Sequence, residues 1–253
     1  LSTKLGLESK YQKNYANPET GVRRIIPDYT KYDLTAYAIG NLAFEEDFLF
    51  ELGIRYDYTH INAYKYYRKS LWEDRNYSNL YPNIILNEVN SQVLANPTFD
   101  YSNLSFSLGS YLSLGTNHDL YLNYALLARN PNPSELFSEG LHHAAARIEI
   151  GDLSLSSEVG QKIQLSYKFK NKRLHASFSP FLNTIQNFIY IVPTGVRTTI
   201  RGSFPVWEYK QTDTTLYGFD YDLDIDLANS LSFNQKISLT KGFEKGSNNP
   251  IID

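Results

Sequence analysis

Leu216-Tyr217-Gly218-Phe219-Asp220-Tyr221-Asp222-Leu223-Asp224-Ile225-Asp226-Leu227 is the stretch on which the fold turns. Tyr217, Phe219, Tyr221, Leu223, Ile225 and Leu227 take alternate positions, and Gly218, Asp220, Asp222, Asp224 and Asp226 take the positions between. Successive side chains of a strand point to opposite faces, so this ribbon is apolar on one side and acidic on the other. Carboxylates repeated at every second position are costly to bury in an apolar core and call for water or a polar neighbour. A calcium loop is set aside, because its glycine and closing glutamate are missing and a strand is the wrong backbone.

The same alternation recurs earlier in the chain. Phe48, Phe50, Leu52, Ile54, Tyr56 and Tyr58 share one face, opposite Glu51, Gly53, Arg55 and Asp57. Leu104, Phe106, Leu108, Leu112 and Leu114 share another, opposite Ser105, Ser107, Gly109 and Ser113. Read this way, the chain holds about nine strands, at 2–12, 28–42, 47–60, 101–115, 119–129, 157–170, 174–191, 205–227 and 231–243. Short polar links containing Glu45-Glu46, Thr116-Asn117-His118, Asn171-Lys172-Arg173 and Asn229-Ser230 alternate with long ones at 13–27, 61–100, 130–156 and 192–204. In an antiparallel up-and-down sheet this places every short turn at one end and every long loop at the other. Transmembrane barrels have that asymmetry, and their strands need roughly 9–11 residues to cross a bilayer. The expected fold is all-β: one antiparallel wall of a larger transmembrane β-barrel. A soluble β-sandwich with an adhesive or sugar-binding role would also alternate, although long structureless links are uncommon in compact domains.

Composition narrows the function. Lys plus Arg number 24 against 27 Asp plus Glu, a net charge of -3, which argues against a nucleic-acid partner. With no cysteine, disulfides, thiolate metal sites and thiol nucleophiles are excluded from this stretch. No run of 18 apolar residues exists to form a membrane-spanning helix. The start at Leu1-Ser2-Thr3, without methionine or a signal peptide, reads as a piece of a longer chain. The 21 tyrosines suit strand ends at a membrane boundary or wet faces, where Tyr56, Tyr58, Tyr121, Tyr124, Tyr190 and Tyr209 are expected as a girdle. Tyr64, Tyr66, Tyr67, Trp72, Tyr77 and Tyr81 fall in the longest link, to pack within it or to stack on a ligand.

Three segments carry a family resemblance. The first is Arg129-Asn130-Pro131-Asn132-Pro133-Ser134-Glu135-Leu136-Phe137-Ser138-Glu139-Gly140-Leu141-His142-His143, followed by Glu149-Ile150-Gly151-Asp152-Leu153 and Leu155 to Glu158. The second is Phe181-Leu182-Asn183-Thr184-Ile185-Gln186-Asn187-Phe188-Ile189-Tyr190. The third runs from Phe204-Pro205-Val206-Trp207-Glu208-Tyr209-Lys210-Gln211 to Leu216-Tyr217-Gly218-Phe219-Asp220. In this order they resemble the barrel of TonB-dependent outer-membrane receptors. The resemblance implies a barrel of about 22 strands around an N-terminal plug, located in the cell outer membrane and in contact with its lipid. It also implies import of a scarce ligand: a ferric siderophore or other metal chelate, haem, cobalamin or a glycan. Energy would come from the TonB–ExbB–ExbD complex acting through the plug. Residues 1–253 then form part of one barrel domain, with the plug and the closing strands outside this chain. Its open sheet edges would be pairing liabilities. A passive porin is the nearest alternative.

The candidate ligand-binding residues are Arg129, Glu139, His142, His143, Arg147, Glu149 and Trp72. Imidazole beside carboxylate suits zinc, iron or copper, which makes His142 and His143 the candidate metal ligands. Neighbours on an extended chain point apart, so a solvated or structural histidine competes with that role. Arg129, Arg147, Arg197 and Arg201 are placed to hold a carboxylate or catecholate, or to brace loop backbone. His60 sits at an outer strand end, whereas His118 and His175 lie at the periplasmic end. No enzyme is expected and no resident cofactor. The carboxylate ladder is not an enclosed catalytic pair, and Ser138, His142 and Glu149 lack the context of a nucleophile elbow.

Overall fold

The structure is a computed structural model that describes residues 1–15, 24–44, 47–247 and 249–252. Its strands are β1 (Ser2–Asn14), β2 (Asp28–Phe44), β3 (Phe48–Arg68), β4 (Ile85–Val89), β5 (Gln92–Ala95), β6 (Thr98–Ser113), β7 (His118–Arg129), β8 (Glu139–His142), β9 (Arg147–Ile150), β10 (Glu158–Lys170), β11 (Leu174–Thr199), β12 (Gly202–Ala228), β13 (Leu231–Glu244) and β14 (Pro250–Ile252). Three short helices, α1 (Lys69–Asp74), α2 (Tyr77–Leu80) and α3 (Pro133–Phe137), lie in the long links. All fourteen strands join one sheet, whose main path runs β1-β2-β3-β6-β7-β10-β11-β12-β13-β14. The nine long strands therefore match the nine expected ones and pair antiparallel in chain order. The Glu45-Glu46 turn and part of the 13–27 link lie outside the described residues.

Register turns alternation within each strand into continuous faces across the sheet. Leu7, Ala36, Tyr56 and Leu104 form one row, and Leu120, Tyr167, Phe178, Tyr221 and Ile237 another. This apolar side is uncovered: Ile54, Leu104, Leu182 and Leu239 are 48%, 57%, 44% and 43% exposed. On the other side Asp220 lies between Ser179 and Ser238, Asp222 between Ser177 and Lys236, and Asp224 between His175 and Asn234. The ladder is thus a polar wall, in which Ser238 donates to Asp220 over 2.6 Å and Lys236 pairs with Asp222 at 3.1 Å.

A soluble sandwich would press two apolar faces together, but every described strand belongs to this single layer. The apolar core instead lies at the long-loop end. There Ile61, Ala63 and Tyr67, out of phase with Ile54 and Tyr56 and so on the polar side of β3, are buried with Trp72, Tyr77, Val93, Leu136, Phe137, Leu153 and Ile189. The loops fold over the inner face.

Two expectations are corrected. The 192–204 link is not a loop, because β11 and β12 stay paired to Thr199 and Gly202. Pro193 and Gly195 flank a register shift, where a missing ladder donor is tolerated. Nor is the tyrosine girdle uniform. Tyr56, Tyr58 and Tyr124 lie on the apolar face, but Tyr121, out of phase with Leu120 and Leu122, faces inward against Tyr111 at 5.0 Å. Tyr209 packs against the loop core.

Candidate functional site: the outer mouth

The mouth is built from α3 outward. Asn132 caps α3 by accepting from the main-chain N–H groups of Ser134 and Glu135, at 3.0 and 3.1 Å, and Glu135 accepts from Asn132 N at 2.8 Å. This reciprocal cap satisfies helix-end donors, and Pro133 suits the first helical turn. Arg129 clamps the cap to the barrel, with Nη1 donating to both Glu135 oxygens at 3.0 Å and Nε to Glu158 at 2.6 Å. Glu158 also accepts from Ile189 N. Gly151 is required by close packing, since a Cβ there would lie 2.7 Å from the Glu135 and Leu136 carbonyl oxygens. Asn187 adopts φ 55° at the β11 bulge, a left-handed conformation that asparagine tolerates well, and donates its N–H to Asp213.

The other candidates divide into braces and exposed groups. Trp72 is 1% exposed, its Nε1 donating to Ser78 at 2.9 Å and its ring set against Tyr67 and Tyr77. It is core, not an exposed stacking platform. Glu139 is buried and accepts from Arg68 Nε at 2.6 Å. Glu149 is buried beneath the β8–β9 hairpin, 2.9 Å from His142 Nδ1, and accepts from Arg147 Nε at 2.8 Å. Burial pushes the Glu149 carboxyl up, but His142 and Arg147 outweigh it and hold the pKa below the ordinary carboxylate value. Arg147 also lies over the Trp207 ring at 4.9 Å, where β9 runs parallel to β12.

His142 and His143 diverge: the first turns to Glu149, while the second places Nε2 3.4 Å from Arg201 Nη1 on the β11–β12 tip. Among the described residues no group of three or more His, Cys, Asp or Glu side chains is arranged to hold a metal ion. His60, in phase with Tyr56 and Tyr58, is on the outward face 2.8 Å from Asp100 and does not join the mouth. Much of the bracing is done by residues outside the candidate ligand set: Arg68 and Arg75, which the sequence reading passed over, with Glu208, which lay in the third resemblance segment. Asp152 and Glu158 did sit within the recurring motif.

An antiparallel wall, greasy outside, polar inside and roofed at one end by braced loops, is the wall of an outer-membrane β-barrel. The sequence profile described as "TonB dependent receptor-like, beta-barrel" matches residues 2–251, and the chain belongs to that family. Solved structures agree on the fold. The copper transporter OprC superposes with a TM-score of 0.70 at 14% identity, over 98% of this chain and 36% of that one. The haemophore receptor HasR of Serratia marcescens, a double mutant in complex with its haemophore HasA and haem, gives 0.62 at 16% identity, over 96% of this chain and 38% of that one. The FrpB iron transporter of Neisseria meningitidis gives 0.58 at 15% identity, over 96% and 33%. This chain thus spans about a third of the length of these relatives. No curated protein matches it. Family members are outer-membrane receptors and transporters, not enzymes.

Proposed function

We propose that the parent protein captures a scarce anionic metal chelate, a ferric siderophore foremost, at this mouth and imports it with TonB-derived energy. Residues 1–253 supply part of one barrel domain of about 22 strands. The remaining strands close the sheet edges, an N-terminal plug fills the polar lumen, and TonB–ExbB–ExbD pulls on that plug. The observation that carries the ligand class is the meeting of two basic segments. Residues 140–148 hold His142, His143 and Arg147 and residues 192–204 hold Arg197 and Arg201; Glu149 takes up His142 and Arg147, so the positive charge of this meeting rests on the β11–β12 tip beside His143, on a chain whose net charge is -3. The His143–Arg201 contact joins them at the outermost hairpin. A local basic patch concentrates anions, and arginine suits carboxylate and catecholate oxygens. Of the expected ligand residues, Arg129, His142 and His143 keep exposed faces for contact. Glu139, Glu149 and Trp72 support the roof beneath them, and Arg147 anchors β9.

Binding of an anionic ferric tris-catecholate and of a cationic ferric trihydroxamate to the detergent-solubilised parent protein tests this. Preference for the anion is expected, weakened about tenfold or more when His143→Ala and Arg201→Ala are combined, on the scale of one or two charge-assisted hydrogen bonds. Equal binding of both chelates, or no change in the double variant, would contradict the anion assignment. Growth of a deletion strain indifferent to iron and other metals would point instead to cobalamin or a glycan.

A further inference from the structure

Six polar links tie three separate outer segments together. Arg75, between α1 and α2, donates through Nη1 to Asp152 at 2.7 Å and through Nη2 to Glu208 of β12 at 3.0 Å. Tyr77 Oη donates to Asp152 at 2.9 Å and accepts from Leu153 N at 3.0 Å. Tyr81 Oη reaches Leu153 O at 3.2 Å, and Arg68 Nε reaches Glu139 at 2.6 Å. Beneath these links Trp72, Tyr77, Leu136, Phe137, Leu153 and Leu155 form one buried cluster. The side chains come from the 69–97 link, the 130–157 link and the barrel strands themselves, so each covers apolar surface that the others would expose on leaving. Residues that share a buried core and ion-paired links open together, not one by one.

We infer that these segments are a single cooperatively folded bulkhead at the mouth, which opens as a whole or not at all, so that any moving gate of the receptor is made of other loops. This inference stands apart from the ligand class. Hydrogen exchange of the parent protein in detergent, followed by mass spectrometry without ligand, tests it. Amides in 70–81, 135–138 and 150–155 should share one slow exchange regime. In Arg75→Ala all three should accelerate together, on the order of a hundredfold, as expected when one partner of a buried network is lost, while 161–167 in β10 stays unchanged. Tyr77→Phe, which removes only a hydroxyl, should give the same three-segment pattern with a smaller increase. Segment-by-segment rates in the wild type, or acceleration confined to 70–81 in either variant, would overturn the inference.

Discussion

Trp72→Ala is expected to open the outer loops to protease while leaving the barrel wall intact. The indole lies at ring-centroid distances of 5.2 Å from Tyr67 and 5.3 Å from Tyr77, and its N–H is satisfied by Ser78. Truncation removes these contacts and leaves a void among the surrounding rings. Losses of this kind cost about 3–5 kcal/mol, enough to populate an opened roof. The wall does not share the loss, because its ladder is paired strand to strand and its apolar side faces away from Trp72. Digestion of intact outer membranes should therefore give new cuts within 69–97, while the protein keeps the gel migration of an unheated, folded barrel. Unchanged loop protection together with lost ligand binding would assign Trp72 to the ligand after all.

Leu165→Arg and Gln164→Arg, one residue apart at the middle of β10, should behave oppositely. Leu165 lies on the apolar face opposite Leu122, and Gln164 on the polar face opposite Asn123. Arginine on the hydrocarbon side near mid-bilayer costs about 2–4 kcal/mol, whereas arginine on a hydrated lumen wall keeps its water. Urea unfolding of the parent protein from liposomes should show the loss for Leu165→Arg and little change for Gln164→Arg. Equal effects would mean that the two faces see the same solvent.

The wall was legible in the sequence because alternation is a local signal: residues two apart share a face whatever happens elsewhere. The upper β11–β12 hairpin was not, since its pairing over 192–204 passes through a register shift at Pro193 and Gly195 that only the partner strand reveals. The roof was hidden for two reasons. Its helices have six, four and five residues, too short for a helical period to appear. Its ion pairs join residues 71 and 133 apart, as in Arg68–Glu139 and Arg75–Glu208, which no spacing announces. The recurring motif that holds Arg129, Glu135, Gly151 and Asp152 carried the family resemblance, but only the fold shows that these residues brace the roof. His142 and His143 do diverge, but at the point where the extended strand ending at His142 gives way to a 3-10 turn starting at His143, and the carboxylate that takes up His142 became visible only in the folded hairpin.

Single cysteines placed in turn at 162–168 of the parent protein, spin-labelled and reconstituted in liposomes, give the most direct reading of which solvent each face meets. Labels at 163, 165 and 167 should be relaxed by oxygen dissolved in the bilayer, and labels at 162, 164 and 168 by an aqueous nickel complex. Oxygen and nickel acting alike at neighbouring positions, or with the phases exchanged, would contradict a wall whose apolar side faces lipid.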